Sequence, residues 1–120
     1  MKALFDTNIL IDYLNGIENA KIEIELYQHP SISIITWMEV MVGTNDADQG
    51  AVESFLTQFD LININQSVAK SAVIIRKKYS MKLHDAIIWA SAKLENALLV
   101  TRNTKDFPTS SPDVRIPYEV

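Results

Sequence analysis

The chain has 120 residues, 48% of them hydrophobic, no cysteine and a net charge of −4. Such a chain is expected to form one domain over residues 1–120 on packing alone, and the lack of cysteine excludes thiol catalysis and cysteine-based zinc sites. No apolar stretch approaches the roughly 20 residues of a membrane span and the opening carries no signal-peptide pattern, so a cytoplasmic protein without membrane contact is expected.

Charge is uneven along the chain. Residues 1–60 hold ten acids and two bases, whereas residues 61–120 hold five acids and nine bases. An acidic site can therefore border a basic surface.

Ala3-Leu4-Phe5 reads as the end of a short core strand, and Ile9, Leu10, Tyr13 and Leu14 recur at helical spacing. Asp6, Thr7 and Asn8 then occupy a strand-to-helix turn. Residues 16–29 place Ile17, Ala20, Ile24 and Tyr27 at helical spacing, predicting a second amphipathic helix that Pro30 ends. SISIIT (31–36) is β-branched and mostly apolar and predicts a strand covered on both faces. WMEVMVG then predicts a helix stopped by Gly43.

Residues 46–59 predict a fourth helix, DLININ (60–65) a third strand, and residues 67–80 a fifth helix with Arg76, Lys77 and Lys78 in its last turns. Those bases suit the negative end of a helix dipole. HDAIIWASAKLENA (84–97) is apolar almost all round, predicting a buried helix. ALLVT follows as a strand, RNTKDFP as a polar turn and VRIPY as a last short strand. Strands alternating with helical crossovers imply a mostly parallel sheet with helices on both faces.

In such a sheet the carboxyl ends of adjacent strands and the starts of the following helices gather at one edge. Asp6 closes the first strand, Glu39 lies in the first turn of the helix expected after SISIIT, and Asp85 opens the buried helix. Each has a purely structural reading: Asp6 as a helix cap, Glu39 as the partner of Thr36 in a T-x-x-E capping box, Asp85 as a charge favouring a helix N-terminus. Jointly, three converging carboxylates repel one another and lose water, a conflict that a hard divalent cation removes. Mg²⁺ or Mn²⁺ on such ligands serves phosphoryl-transfer chemistry.

Other site patterns are missing. Gly16, Gly43 and Gly50 are the only glycines, which rules out dinucleotide and P-loop fingerprints, and His29 and His84 have no spaced partner. Trp37 and Trp89 read as core. A phosphatase that forms an aspartyl phosphate from D-x-D needs an acid where Asn8 stands.

Four segments, LFDTNILIDYL, SIITWMEVMVG, LHDAIIWASA and LLVTRNTKDFP, occur in order over nearly the whole chain. Together they resemble the PIN-domain family, in particular the VapC-type toxins of toxin–antitoxin pairs. The resemblance implies an α/β/α three-layer sandwich around a short, mostly parallel sheet, and an endoribonuclease dependent on Mg²⁺ or Mn²⁺. It also implies inhibition by a small cognate antitoxin and assembly as a homodimer.

Carried onto this chain, the implied site is Asp6, Glu39, Asp85 and Asn103, the first three as metal ligands, with Asn8 orienting an acidic ligand. Asn103 departs from the pattern, since many members carry a fourth acid there, and Asp106 reads as a turn residue facing away from the site. Arg76, Lys77, Lys82, Arg102 and Lys105 are candidate phosphate contacts. The rival reading is a catalytically weak PIN-like module that binds RNA or protein.

Overall fold

In the computed structural model, which describes residues 1–119, strands and helices alternate as expected. β1 (Ala3–Phe5) leads to α1 (Thr7–Leu14) and α2 (Glu18–Glu25), β2 (Ser31–Ser33) to α3 (Ile34–Val42) and α4 (Gln49–Leu56), and β3 (Asp60–Ile62) to α5 (Gln66–Tyr79) and α6 (Leu83–Leu94). β4 (Leu98–Val100) and β5 (Val114–Arg115) complete the chain. The strands form one sheet in the order β3-β2-β1-β4-β5. Every pairing is parallel, with Phe5 beside Val100 and Leu4 beside both Ser31 and Leu99. β1 is central, and the strand order reverses on its two sides, which opens a crevice beyond the carboxyl ends of β1 and β4.

The side-chain alternation of β1 divides the core. Leu4 and Leu99 face a layer built from α5 and α6, where Val68, Ala72, Ile75, Ala86, Ile88 and Trp89 are buried. Ala3, Phe5 and Val100 face the other way, against Ile9 and Leu10 of α1, Ile24 of α2, Val40 of α3 and Val52 and Leu56 of α4. Because both faces are covered, all three residues of β1 are buried, which explains its continuous apolar run. The result is the expected three-layer α/β/α sandwich. Trp89 lies fully inside, and Trp37 packs at the margin of the α1–α4 layer.

Local chemistry corrects several boundaries. The second strand stops at Ser33, whose hydroxyl caps α3 by accepting the Ile35 N–H at 3.1 Å. Ile34, Ile35 and Thr36 are β-branched, but the serine cap and packing beneath the sheet edge outweigh their strand preference. The Thr36–Glu39 capping box therefore does not form: Thr36 lies inside α3 and is buried. The last strand stops at Arg115, before Pro117, which has no N–H for a ladder. Between α5 and α6, Ser80 adopts a left-handed conformation (φ 54°) and Arg76 donates to the Met81 carbonyl at 2.7 Å, closing α5 and setting the start of α6.

Candidate active site

Asp6 stands one residue beyond β1, at the crevice between β1 and β4. Its backbone N–H continues the ladder to the Val100 carbonyl at 2.9 Å, which fixes the residue to the sheet. Its carboxylate is 5% exposed and fully engaged. Oδ1 accepts the Thr7 N–H at 2.8 Å; Oδ2 accepts the Thr101 hydroxyl at 2.7 Å and the Asn8 amide at 3.1 Å. Asp6 is thus a helix cap and something more, since a cap has no need of a buried hydroxyl from the loop after β4. Thr101 Oγ1 also accepts from Asn8 Nδ2 at 3.3 Å and from the Asn103 N–H at 3.0 Å. One threonine therefore joins the two strand ends.

Glu39 is exposed and projects from the second turn of α3. Its Oε1 accepts the Thr7 hydroxyl at 2.6 Å, and Thr7 Oγ1 lies 3.1 Å from the hydroxyl of buried Thr36. A hydroxyl has one proton, so Thr7 donates to Glu39 and accepts from Thr36, which orients Glu39 toward the D-T-N turn. Asp85 lies in the first turn of α6, 5% exposed, with Oδ1 at 3.3 Å from His84 Nε2. Its Oδ2 is buried with no hydrogen-bond partner.

Electrostatics join these groups. Burial pushes the Asp6 carboxyl up to about 6 against the opposing Thr101 and Thr7 bonds, and the charges of Asp85 and Glu39 push it further in the same direction. Burial also raises Asp85; His84 and Lys82 oppose this, while Asp106 and Glu39 reinforce it. A cluster of oxygen donors that includes an orphaned carboxylate oxygen and two acids held above their ordinary range fits a hard divalent cation, which would relieve both the repulsion and the missing bond. Among the described residues, no three acidic or histidine side chains are drawn close enough together to hold an ion as oriented here. Glu39 is the exposed member of the three and is turned onto Thr7.

Asp6, Glu39 and Asp85 thus share one electrostatic neighbourhood, and Asn8 orients Asp6. Asn103 and Asp106 form a reciprocal pair: Asn103 Nδ2 donates to Asp106 Oδ2 at 2.9 Å and the Asp106 N–H donates to Asn103 Oδ1 at 3.0 Å. Asp106 is a turn residue, and its charge is one of those that raise Asp85.

Among the candidate phosphate contacts, Arg76 is committed to the Met81 carbonyl and Arg102 to Asp12, while Lys82 acts electrostatically on Asp85. Lys77 and Lys105 are exposed. Sequence reasoning assigned no role at this site to Thr36 or Thr101. Only the hydroxyl of T-R-N, following a strand in parallel with the first, offered a signal for one of them.

A parallel, doubly covered sheet with a carboxylate cluster at its topological switch defines a class of α/β/α proteins whose site lies at the strand ends. Within that class the PIN domain model matches residues 3–109, and the chain belongs to the PIN domain family. It is similar to a chain of a toxin–antitoxin complex from Klebsiella pneumoniae, at 48% identity and a TM-score of 0.93 over 98% of this chain and 99% of that one. The fold also matches VapBC2 from Rickettsia felis bound to a promoter DNA fragment (23% identity, TM-score 0.80, 95% and 96% covered). DNA-bound VapBC from Salmonella typhimurium matches as well (24%, 0.79, 96% and 96%). No curated protein matches the chain.

Proposed function

We propose that the protein is a cytoplasmic, Mg²⁺- or Mn²⁺-dependent endoribonuclease and the toxin of a VapBC-type toxin–antitoxin pair. Membership of the PIN domain family and 48% identity to a chain of a toxin–antitoxin complex support this reading. The observation that carries it is Asp85 Oδ2, a buried carboxylate oxygen with no hydrogen-bond partner beside the raised carboxyl of Asp6.

Asp6, Asp85 and Glu39 would hold the cation. When bound, it supplies charge neutralisation at the phosphodiester and at the leaving oxygen. Thr101, Asn8 and the Thr7 N–H fix the direction of the Asp6 carboxylate, so its lone pairs are aimed before substrate arrives. Thr7, backed by Thr36, aims Glu39. Asn103 enters the site by holding Asp106, whose charge adds to the field at Asp85. Lys82 is the cation best placed to meet an RNA phosphate, since its charge already reaches Asp85.

The partners proposed are an RNA substrate, a small antitoxin and a second copy of the chain. A groove of about 500 Å³ between α1, α3 and α4, walled by Val40 and Val52 and edged by half-exposed Ile11 and Leu14 and by Asp48, suits an amphipathic antitoxin segment with a basic side chain. Exposed Val73 and Ile74 on α5 favour a dimer, which light scattering tests.

The deciding experiment pairs RNA cleavage with Mn²⁺ titration in wild type, Asp6→Asn and Asp85→Asn. Cleavage that needs the metal and vanishes in both folded variants is expected. Cleavage in excess chelator overturns the reading.

A further inference from the structure

Asp12 is buried in the second turn of α1 and contributes to none of the roles above. Its carboxylate closes three bonds. Arg102 donates from Nε to Oδ2 at 2.5 Å and from Nη2 to Oδ1 at 2.9 Å, and the Tyr118 hydroxyl donates to Oδ2 at 2.8 Å. A planar guanidinium held at two points by one carboxylate cannot rotate without breaking both bonds, so this pair fixes direction as well as distance.

The same arginine reaches the site through its backbone. The Arg102 N–H donates to Asn8 Oδ1 at 3.1 Å, and this bond decides which way the Asn8 amide faces. With Oδ1 taken, Nδ2 must point to Asp6 Oδ2 and Thr101 Oγ1. Arg102 also lies between Thr101, which bonds Asp6, and Asn103, which holds Asp106. One fork on α1 thereby sets the position of the loop that aims Asp6 and presents Asp106.

We propose that Asp12, Arg102 and Tyr118 form a positioning unit for the metal site, acting through the Arg102 backbone on Asn8 and through Asn8 on Asp6. The proposal rests on the nuclease reading for the identity of the bound group. It reassigns Arg102 from phosphate contact to loop anchor, its guanidinium being spent on Asp12.

Charge makes the proposal testable by sign. Arg102→Gln removes a positive charge near an acidic cluster, so electrostatics alone would tighten cation binding, whereas loss of positioning would weaken it. Glu23 and Arg115 provide a matched control. Their fork has the same chemistry, with Nε to Oε2 at 2.7 Å and Nη2 to Oε1 at 3.0 Å, and Arg115 meets the loop only through its backbone carbonyl, which accepts the Thr101 N–H at 3.1 Å in continuation of the β4–β5 ladder and makes no bond to Asn8.

Calorimetric titration of the full-length chain with Mn²⁺ alone, beside thermal melting without metal, reads the outcome. About tenfold weaker Mn²⁺ binding in folded Arg102→Gln, with Arg115→Gln unchanged, is expected. Equal or tighter binding in Arg102→Gln overturns the proposal, and so does an equal loss in both variants, which would mean general loosening. Should Arg102→Gln fail to fold, the charge-neutral Tyr118→Phe decides: roughly two- to threefold weaker binding supports the unit and unchanged binding overturns it. A wild-type chain that binds no Mn²⁺ removes the nuclease reading and this proposal together, whereas wild-type binding with an unaffected Arg102→Gln removes the proposal alone.

Discussion

Asp6 and Asp85 are both 5% exposed and both raised by burial, yet one carboxylate is saturated with donors and the other is half bare. Asp6 takes a backbone N–H, a hydroxyl and an amide. Asp85 has an exposed histidine at 3.3 Å from one oxygen and no partner for the other. The difference follows from location. Asp6 sits where two parallel strands end side by side and their loops supply donors, whereas Asp85 opens a helix whose own N–H groups point along its axis. The site thus combines an aimed carboxylate with an unsatisfied one, and on the proposed reading the first would supply geometry and the second affinity for a cation.

The strongest way to break this comparison is to neutralise each acid. Asp6→Asn and Asp85→Asn should each cost more than about 100-fold in RNA cleavage, but their melting temperatures should diverge. Asp85→Asn should melt at or above wild type, because it discards a charge that burial disfavours, while Asp6→Asn sets an amide N–H donor against the Thr101 hydroxyl and the Asn8 amide and should melt lower. Parallel melting curves would show that the two environments do not differ as described.

Titration sharpens it next. Burial holds the folded Asp6 carboxyl up at about 6, against 3.8 for an unburied aspartate. The folded state therefore binds the proton more tightly than the unfolded one, and stability falls as pH rises between those values, by on the order of 3 kcal/mol from this group. Denaturation midpoints across that window should decline in wild type and flatten in Asp6→Asn. A flat wild-type profile would refute the buried, raised carboxyl.

Thr101→Val removes the shortest of Asp6's bonds without changing the charge. A loss of roughly 1–3 kcal/mol in unfolding free energy is expected, with Asp6 driven further up, readable by carboxyl carbon NMR. The smallest effect on stability belongs to Glu39→Gln. Its amide oxygen can still accept the Thr7 hydroxyl, so stability should stay within about 0.5 kcal/mol while cleavage is lost. Normal cleavage would reduce Glu39 to a partner of Thr7.

Much of this was legible in the sequence because it is local. The D-T-N turn, the parallel sheet and the burial of the helix containing Trp89 follow from apolar spacing and turn chemistry over a few residues. Glu39 was placed near the site for a partly wrong reason, since SISIIT hides a serine cap inside a β-branched run and the helix starts earlier than its composition suggests. Asp12 was invisible. A carboxylate two turns into an amphipathic helix reads as solvent-facing, and its partners lie 90 and 106 residues away. Turn chemistry accounts for Asp106 in the sequence and says nothing about which neighbour its charge reaches.

The sheet order also bears on how the chain comes into being. β1 is flanked by β2 on one side and by β4 on the other, so Asp6 acquires its neighbours from residues made far apart in time. A nascent chain that has reached α6 already carries Asp6, Glu39 and Asp85, but without β4 it has no Thr101 to turn the first carboxylate and no loop to bring Asp106. Domains fold as synthesis delivers them, and pairings between distant segments come last. On the nuclease reading proposed above, a chain stopped before β4 lacks the bond that aims Asp6.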